Sequence, residues 1–386
     1  MQRIRQQDSP DDSRSAVSGG LKMDNLEKCR KQINEIDDAM AVLFEQRMQA
    51  ARMIGEYKKE HGLPVKDQAR ENAIIAKGKK RISEKEFEGY YVDFQKSLMS
   101  ISCALQEQIT AGMKIGYSGV PGAYAYIAAK QLFPEAKLIP FANFEPAYRA
   151  AENGEVDCAV LPLENSYAGD VGAVMDLMFA GHLFVNQIYD LDIEHQILGV
   201  SGADIKQVRT VVSHPQALSQ CDNYIKYHNL ETVEFSNTAR AAEYVKGLND
   251  PTVAAIASCE TASLYGLDIL ERNIQSMKNN TSRFGVFSRA QNLPQAEARD
   301  DSCGFMLMFT VPNEAGSLAI TLDIIGAHGF NMRNLKSRPM KDLLWSYYFY
   351  VEAEGNIVTD EGSDMLSELK AVCGQMKLIG TYSINA

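Results

Sequence analysis

The sequence predicts a multidomain chain with three fold classes in order: all-α, α/β and α+β. Apolar and small residues repeat in a heptad register between residues 26 and 57, a pattern typical of packed helices. From residue 114 short apolar runs alternate with amphipathic stretches, which indicates strands alternating with helices in a mostly parallel sheet. After residue 303 the order becomes strand, helix, two strands, helix, strand, which predicts an α+β unit. A chain of 386 residues has room for about two to four domains.

Composition excludes several classes of function. A net charge of −11 argues against nucleic acid or an anionic membrane as the main partner, because both bind basic surfaces. No apolar run approaches the roughly 20 residues of a spanning helix, and the start lacks a signal-peptide core, so we expect a cytoplasmic protein. The cysteines and histidines lack metal-binding spacing, and the glycine-rich turn at 119–124 is not a nucleotide-binding motif. We therefore predict neither a metal nor a cofactor.

Changes in composition indicate where the domains begin and end. Residues 1–22 are polar and of low complexity, so we expect a disordered leader, with Met23 as the true beginning. The rest divides into a helical domain over 23–112, an α/β domain over 113–290, a polar linker over 291–302 and an α+β domain over 303–386.

One residue of the helical domain does not fit its apolar stripe. Asp24 and Glu27 form a capping-box-like start, and further along Arg47 takes a position of the stripe itself. A buried cation is costly unless it has an anionic partner, so Arg47 indicates an anion site, with a snorkelling surface arginine as the alternative. The stripe consists of Leu26, Cys29, Ile33, Ile36, Met40, Leu43, Ala50, Ile54 and Tyr57.

Two further cations, Arg30 and Lys58, lie beside the stripe in the same heptad position. They are about 42 Å apart along a straight helix with a rise of about 1.5 Å per residue, too far to reach one small ligand. If both are functional, two antiparallel chains must complete each other's pockets. This spacing predicts an intertwined dimer.

Two more helices supply the rest of this predicted pocket, one beginning near residue 67 and one spanning 84–111. Three cations with a few neutral polar groups describe a site for a compact dicarboxylate. A rearrangement in such a site needs only the right conformer and charge stabilisation at an ether oxygen. The residues facing the pocket are Asp67, Arg70 and Glu71 on the second helix, and Ser102 and Gln106 on the third.

In the order and approximate spacing of these polar residues, the helical domain resembles the all-helical chorismate mutases. The resemblance implies that Arg47, Arg70 and, from the partner chain, Arg30 hold the two carboxylates of chorismate. Lys58 and Gln106 would face its ether oxygen. The other matched positions are Asp67 and Ser102, which would contact the substrate, and Glu71, which would face the ring hydroxyl.

Polar turns follow several predicted strands of the α/β domain. The stretches 119–124, 162–166 and 213–216 each follow an apolar run, and each alone is a generic strand-to-helix turn. The pentapeptide 280–284 leads into a strand and combines hydroxyls with a guanidinium. That combination favours a small-anion site, with a strand start and a surface arginine as the alternative.

Together these turns resemble the prephenate dehydratases, whose domain has a two-lobed fold like that of periplasmic binding proteins. The family usually has a threonine where this sequence has Ser282, and hydroxyl residues where it has Ala123 and Ala125. The match runs from about 114 to 290 and consists of PLENS at 162–166 with Gly169, SHPQ at 213–216, SNTA at 236–239, Ser258 and NTSRF at 280–284.

This resemblance implies loss of water and carbon dioxide from prephenate to give phenylpyruvate, with aromatisation as the driving force. Ser282 would donate a proton to the leaving hydroxyl, and Arg283 would anchor a carboxylate. Glu164 would either orient the pocket or cap a backbone turn. The other substrate-binding positions are Asn165, Ser166, Gly169, Ser213, Gln216, Thr238 and Phe284.

The C-terminal segment has the element order of a ferredoxin-like fold. It resembles the amino-acid-sensing ACT domain of such dehydratases, which implies L-phenylalanine as an effector. The family usually shows Gly-Ala-Leu and Glu-Ser-Arg-Pro. This sequence has Ser317 in place of the alanine and Lys336 in place of the glutamate. These differences put phenylalanine sensing in question but leave the predicted fold unchanged. The expected elements span 304–311, 315–327, 331–339, 345–353, 362–374 and 377–384. The predicted regulatory residues are Ala315, Gly316, Ser317, Leu318, Ser337, Arg338 and Pro339.

The combined resemblances imply a bifunctional enzyme of phenylalanine biosynthesis that converts chorismate to prephenate and then to phenylpyruvate, as a homodimer or a higher homo-oligomer. Two alternatives stay open from the sequence. One is a middle domain that prefers arogenate, the aminated substrate. The other is a middle domain that only binds a small anion.

Overall fold

The described part of the chain, in this computed structural model, consists of residues 13–277, 279–295, 302–340 and 346–384, with side chains from residue 25 onward. The chain divides between Gly112 and Met113 into two compact units. Within the described residues, no helix is both long and apolar enough to cross a membrane. The same residues contain no group of three or more His, Cys, Asp or Glu side chains that could hold a metal ion.

The first unit is built from helices, as predicted. Its second helix begins where the sequence indicated, because the Asp67 side chain accepts a hydrogen bond from the backbone N–H of Arg70 at 3.0 Å and so caps the helix. The helices are α1 (Ser13–His61), α2 (Gln68–Lys79) and α3 (Glu88–Ala111), with a short 3₁₀ turn at Lys85–Phe87.

The start of α1 differs from the prediction. The helix begins at Ser13 and not near Asp24, so residues 13–22 are helical where a disordered leader was expected. Residues 1–12 of that leader lie outside the described chain. Extending an existing helix adds one hydrogen bond per residue, whereas nucleation is costly, so a helix can continue past a candidate cap.

The buried face of α1 is not the apolar stripe. α1 packs on α3 through Ala51 and Gly55, and a Cβ added at Gly55 would lie 3.1 Å from the Ile109 side chain. The stripe residues from Leu26 to Leu43 are exposed, Leu43 to 64%. A heptad pattern predicts an apolar seam but not which helix covers it, and the described part of one chain leaves this face uncovered.

The second unit begins with two α/β lobes, each on its own sheet. The first lobe contains β1 (Lys114–Ser118), α4 (Tyr124–Leu132), β2 (Lys137–Phe141), α5 (Phe144–Asn153), β3 (Cys158–Asn165), β4 (Gly169–Asp170), α6 (Gly172–Ala180) and β5 (Phe184–Asp192). The second contains β6 (Gln196–Gly199), the 3₁₀ turn Ile205–Gln207, β7 (Thr210–Ser213), α7 (Pro215–Gln220), α8 (Asp222–Tyr227), β8 (Glu231–Glu234), α9 (Thr238–Leu248), β9 (Val253–Ala257), α10 (Cys259–Tyr265) and β10 (Asp268–Glu271). The chain then returns to the first lobe as β11 (Thr281–Ser288).

Both sheets are mixed, so the predicted mostly parallel arrangement is wrong for part of each sheet. β1 pairs in parallel with β2 and β3, and β7 pairs in parallel with β8 and β9. β11 is antiparallel to β3 and β5, and β6 is antiparallel to β9 and β10. The antiparallel pairs involve the strands at the two crossings between lobes, where no helical crossover sets a parallel direction.

The C-terminal segment has the predicted βαββαβ order. The elements are β12 (Cys303–Thr310), α11 (Ser317–Ala327), β13 (Asn331–Pro339), β14 (Tyr347–Glu354), α12 (Asp360–Val372) and β15 (Met376–Ser383). The strands lie in the order β13-β14-β12-β15, and β15 pairs with β5, so these strands and the first lobe form one ten-stranded sheet among the described residues. Part of the predicted linker, 296–301, lies outside those residues, and the division of this unit into two domains stays a prediction.

Two candidate active sites

The helical unit encloses a cavity of about 710 Å³ lined by all three of its helices. Every predicted mutase residue except Arg30 lines it, although these residues are spread over three helices and a loop. Arg30 is exposed on α1 and does not reach the cavity of its own chain. The predicted residues that the fold brings together are Arg47, Lys58, Asp67, Arg70, Glu71, Ser102 and Gln106.

Arg47 is half-buried against α3 and has only neutral partners among the described residues. Its guanidinium donates to the carbonyl oxygen of Leu98 at 3.1 Å and to the hydroxyl of Ser102. Burial lowers the pKa of Arg47 from its ordinary value, although a guanidinium keeps its proton at neutral pH. The site therefore presents a partly desolvated positive charge that an anionic ligand would neutralise.

Lys58 and Gln106 form a second polar pair in this cavity. The Lys58 ammonium donates to Gln106 Oε1 at 3.0 Å and to the carbonyl oxygen of Val65 at 2.6 Å. Because Gln106 Oε1 accepts from Lys58, the Gln106 amide nitrogen is left as a donor. Two donors, one of them charged, thus lie side by side on one wall.

A second cavity, of about 160 Å³, lies at the cleft between the two α/β lobes. Ser282 on β11 and Asn165 on β3 are directly paired across the two strands. Asn165 Nδ2 donates to Ser282 Oγ at 2.9 Å, and Asn165 Oδ1 accepts from Gln216 Nε2 at 3.3 Å. Thr238, at the first position of α9, completes the predicted set in this cavity.

The hydrogen bond between Asn165 and Ser282 has a direction that matters for chemistry. The amide N–H donates and the serine oxygen accepts, so the serine hydroxyl keeps its own proton for another partner. A hydroxyl held in this way is able to donate a proton to a group bound in the cavity.

Arg283 does not line this cavity, so the predicted carboxylate anchor does not fit its placement. Successive side chains of a strand point to opposite faces, and Ser282 takes the cavity face. The Arg283 guanidinium instead donates to Glu352 at 3.1 and 3.2 Å and to Asp190 at 3.1 Å. Glu164 lies across from Arg283 on β3 and shares that opposite face, so it neither lines the cavity nor caps a turn.

Four other predicted residues also lie outside the cavity lining. Ser213 is buried and donates to the carbonyl oxygen of Ile256 at 2.6 Å, a structural contact. The Ser166 hydroxyl accepts from the backbone N–H of Thr281 at 2.9 Å, which holds the turn after β3 against β11. The remaining two are Gly169, exposed with a φ of 79°, and Phe284, buried in the core.

The cavity also contains residues that sequence reasoning missed. His195, 1% exposed, lies 3.1 Å from the Tyr124 hydroxyl through Nδ1 and 2.7 Å from Gln220 Oε1 through Nε2. Burial lowers the pKa of His195, so its imidazole is neutral at neutral pH. Gln220 Nε2 has no hydrogen-bond partner among the described residues. No sequence motif marked His195, which lies in the first crossing between lobes, whereas His214 and Asn237 were part of the recognised turns.

A third cavity, of about 540 Å³, lies in the C-terminal segment between the end of β12 and the start of β14. Of the predicted regulatory residues it contains Leu318, while Ala315, Gly316, Ser317, Ser337, Arg338 and Pro339 do not line it. Gly316 has a φ of 89°, which explains a glycine immediately before α11. Arg338 instead donates to Asp176 of α6 at 3.2 Å.

Two family models match the chain. One described as chorismate mutase type II matches residues 29–107, and one described as prephenate dehydratase matches residues 115–292. The first range contains the cavity of the helical unit, and the second contains the cavity between the lobes.

Relatives match one or both of these ranges. Arogenate dehydratase/prephenate dehydratase 1 of Arabidopsis thaliana is 31% identical over 287 residues, covering 71% of this chain and 72% of the relative. A bifunctional chorismate mutase/prephenate dehydratase of Aquifex aeolicus is 28% identical over 368 residues, covering 93% of this chain and 98% of the relative. A crystal structure of prephenate dehydratase from Arthrobacter aurescens in complex with L-Phe superposes with a TM-score of 0.65 at 26% identity, covering 70% of this chain and 90% of that one.

Proposed function

The chain belongs to the family of bifunctional chorismate mutases/prephenate dehydratases, and on that basis we propose one reaction for each cavity. The enzyme acts in phenylalanine biosynthesis. It rearranges chorismate to prephenate in the helical unit and converts prephenate to phenylpyruvate, water and carbon dioxide between the α/β lobes. The observation that carries this proposal is the 98% coverage of a bifunctional relative, with one polar cavity in each matched region.

In the helical unit the residues favour charge stabilisation without covalent chemistry. Arg47 and Arg70 supply guanidiniums for the two carboxylates of chorismate, and holding both carboxylates selects the compact conformer that can rearrange. The ether carbon–oxygen bond breaks as the new carbon–carbon bond forms, so negative charge develops on the ether oxygen. Lys58 and the amide nitrogen of Gln106 are positioned to stabilise that charge.

In the cleft between the lobes, Ser282 is the proposed proton donor. Its hydroxyl protonates the departing ring hydroxyl, which leaves as water, while the ring carboxylate leaves as carbon dioxide and its bonding electrons enter the ring. Asn165 fixes the serine oxygen through the 2.9 Å hydrogen bond. Neutral donors such as Gln220 Nε2 and the N-terminus of α9 at Thr238 take the anchoring role first predicted for Arg283.

A coupled assay tests both reactions on the full chain. Chorismate consumption is followed by ultraviolet absorbance, and phenylpyruvate is measured in two portions, one directly and one after acid converts accumulated prephenate to phenylpyruvate. We expect phenylpyruvate in the untreated portion. Phenylpyruvate found only after acid would show a working mutase and an inactive middle domain, which would support the anion-binding alternative.

We predict that the dehydratase prefers prephenate to arogenate. The two substrates differ by a keto group in prephenate and an ammonium in arogenate, and the described residues lining the cleft cavity include no aspartate or glutamate to pair with an ammonium. We expect kcat/KM for prephenate to exceed that for arogenate by about tenfold or more, equivalent to about 1.4 kcal/mol. Equal or higher kcat/KM with arogenate would contradict the prediction and would favour the alternative of an arogenate dehydratase.

We further propose that the helical unit works as an intertwined homodimer. The exposed stripe from Leu26 to Leu43 offers an apolar face for a second copy, and Arg30 lies beside that face. A second antiparallel copy would cover the stripe and bring its Arg30 to a cavity that lacks that cation in one chain.

Mixing two inactive variants tests this arrangement. An Arg30→Ala chain and a Lys58→Ala chain each lack one part of every site as homodimers, but a mixed dimer has one site in which both residues are native. After the two are unfolded together and refolded, we expect partial recovery of mutase activity, up to about a quarter of wild type for random pairing with wild-type affinity. Mixtures that form dimers but stay inactive would rule out a shared site.

For the C-terminal segment we propose an ACT regulatory domain that binds L-phenylalanine. Its βαββαβ order, the cavity containing Leu318 and the L-Phe complex of the Arthrobacter relative support this proposal. In the coupled assay, added L-phenylalanine is expected to reduce phenylpyruvate formation, with D-phenylalanine as the control. An equal response to both enantiomers, or none, would argue against a regulatory role.

A further inference from the structure

The C-terminal segment packs against β3 and β11, the two strands that carry Asn165 and Ser282, on the face opposite the cleft cavity. Asn165 and Ser282 are paired across β3 and β11, and the next pair along, Glu164 and Arg283, points to the opposite face. That face is covered by β12, β14 and β15, whose side chains share one apolar core with β3 and β5. Glu164 and Arg283 therefore meet the C-terminal segment, while their neighbours meet the substrate cavity.

Lys336 on β13 contacts the first of these two residues. Its ammonium lies 2.5 Å from Glu164 Oε2 and also pairs with Asp170 of β4, and the Lys336 side chain is only 17% exposed. Burial opposes the charge, but the hydrogen bonds to Asp170 and Glu164 outweigh it and raise the pKa of Lys336. The lysine is therefore charged, and it ties β3 and β4 together at the turn that follows Asn165.

Glu352 on β14 contacts the second residue. Both of its carboxylate oxygens accept from Arg283, at 3.1 and 3.2 Å, and its exposure is 2%. The hydroxyl of Tyr350 also donates to Glu352, at 3.3 Å, and so does that of Tyr382. Burial opposes the charge of Arg283, yet the neighbouring carboxylates, Glu352 first, raise its pKa. Both hydrogen bonds come from Nη1 of Arg283, and charge-assisted contacts of this kind hold the guanidinium close to the Glu352 carboxylate.

We propose that Lys336 and Glu352 are positioning residues of the dehydratase site. Lys336 sets the place of Glu164 and hence of Asn165 on β3, and Glu352 sets the place of Arg283 and hence of Ser282 on β11. The Asn165–Ser282 hydrogen bond then depends on two ion pairs made by the C-terminal segment. This inference rests on the dehydratase function proposed above.

The residue type at position 336 makes this arrangement specific to the present sequence. A glutamate there, as in the Glu-Ser-Arg-Pro motif, would face the carboxylates of Glu164 and Asp170 and would repel them. With lysine at this position the contact is attractive. The C-terminal segment therefore holds the site strands through its own side chains, without a bound effector being needed for that contact.

Lys336→Met in the full chain tests the proposal, because methionine keeps most of the length and removes the charge. We expect prephenate kcat to fall by about tenfold to 10²-fold with little change in KM, since displacement of reacting groups by about 1 Å can cost about 10²-fold in rate. Lys336→Arg should restore most of the rate. In a Glu164→Gln background, Lys336→Met should cause a smaller loss than in the wild-type background, because the Glu164–Lys336 ion pair is already absent and only the contact of Lys336 with Asp170 is left to remove.

The controls separate a positioning role from a structural one. Arg333→Met removes another cation of β13, one that pairs with Glu354 within the C-terminal segment, and should leave prephenate kcat unchanged. Mutase activity reports only on the helical unit, so the melting temperature of the full chain and the KM for prephenate report whether the second unit has folded. If Lys336→Met fails that check, the isosteric Glu164→Gln variant decides in its place. Wild-type prephenate kcat in Lys336→Met and Glu164→Gln, or additive losses in the double variant, would overturn the inference. An inactive wild type would instead refute the dehydratase function.

Discussion

Arg47→Ala is expected to abolish chorismate rearrangement, with a loss on the order of 10³-fold, while prephenate turnover stays close to wild type. The loss is large because the substitution removes a preorganised charge from a partly desolvated cavity, where one such donor is typically worth about 10²–10³ in rate. The second activity is unaffected because Arg47 belongs to the helical unit and the cleft cavity to the other unit. Both rates are measured in one preparation, with chorismate and then with prephenate.

Stability provides the check on this result. Leu98 O keeps a hydrogen bond from the Ser102 hydroxyl at 3.0 Å when Arg47 is absent, so the free energy of unfolding should change by no more than about 1 kcal/mol. Arg52→Ala, which removes an exposed cation from the same helix outside the cavity, serves as the matched control. A large fall in melting temperature, or equal loss of both activities, would show that Arg47 is structural.

Ser282→Ala is expected to reduce prephenate dehydration by about 10²-fold or more, the usual contribution of a positioned proton donor. Hydroxide is a poor leaving group unless a proton arrives as the bond breaks, and Ser282 carries the hydroxyl that Asn165 holds in the cavity. Ser282→Thr should keep or raise the rate, because the added methyl restricts the side-chain rotamer without removing the hydroxyl. Initial rates of phenylpyruvate formation from prephenate measure all three proteins.

Thr281 is the matched control, since it carries a hydroxyl one residue away. Its Oγ1 donates to Asp192 at 3.0 Å on an exposed surface and does not line the cavity. Thr281→Ala should therefore retain most of the wild-type rate. A near-normal rate of phenylpyruvate formation in Ser282→Ala, together with a large loss of rate in Thr281→Ala, would identify Thr281 as the proton donor instead.

Much of the fold could be predicted from the sequence because its signals are local. The cap at Asp67, the helix face shared by Arg70 and Glu71, and the βαββαβ order of the last segment all depend on residues within one or two turns or strands. The grouping of Asn165 with Ser282, which are 117 residues apart, had no local signal and came from the family resemblance. The start of α1 was missed because a local capping signal does not prevent a helix from extending through it.

By itself the sequence determined the helix face shared by Asp67, Arg70 and Glu71 and the cation that interrupts an apolar stripe, since these follow from periodicity and residue type, whereas the choice of Ser282 as proton donor came from the family resemblance. Only the tertiary structure decided that Arg283 turns from the cavity to Glu352, that Glu164 pairs with Lys336, and that His195 enters the site. Partners such as Glu164 and Lys336 are 172 residues apart in the chain. The physical reason is that alternation places a side chain on one of two faces, while the identity of what covers each face depends on how distant strands pack.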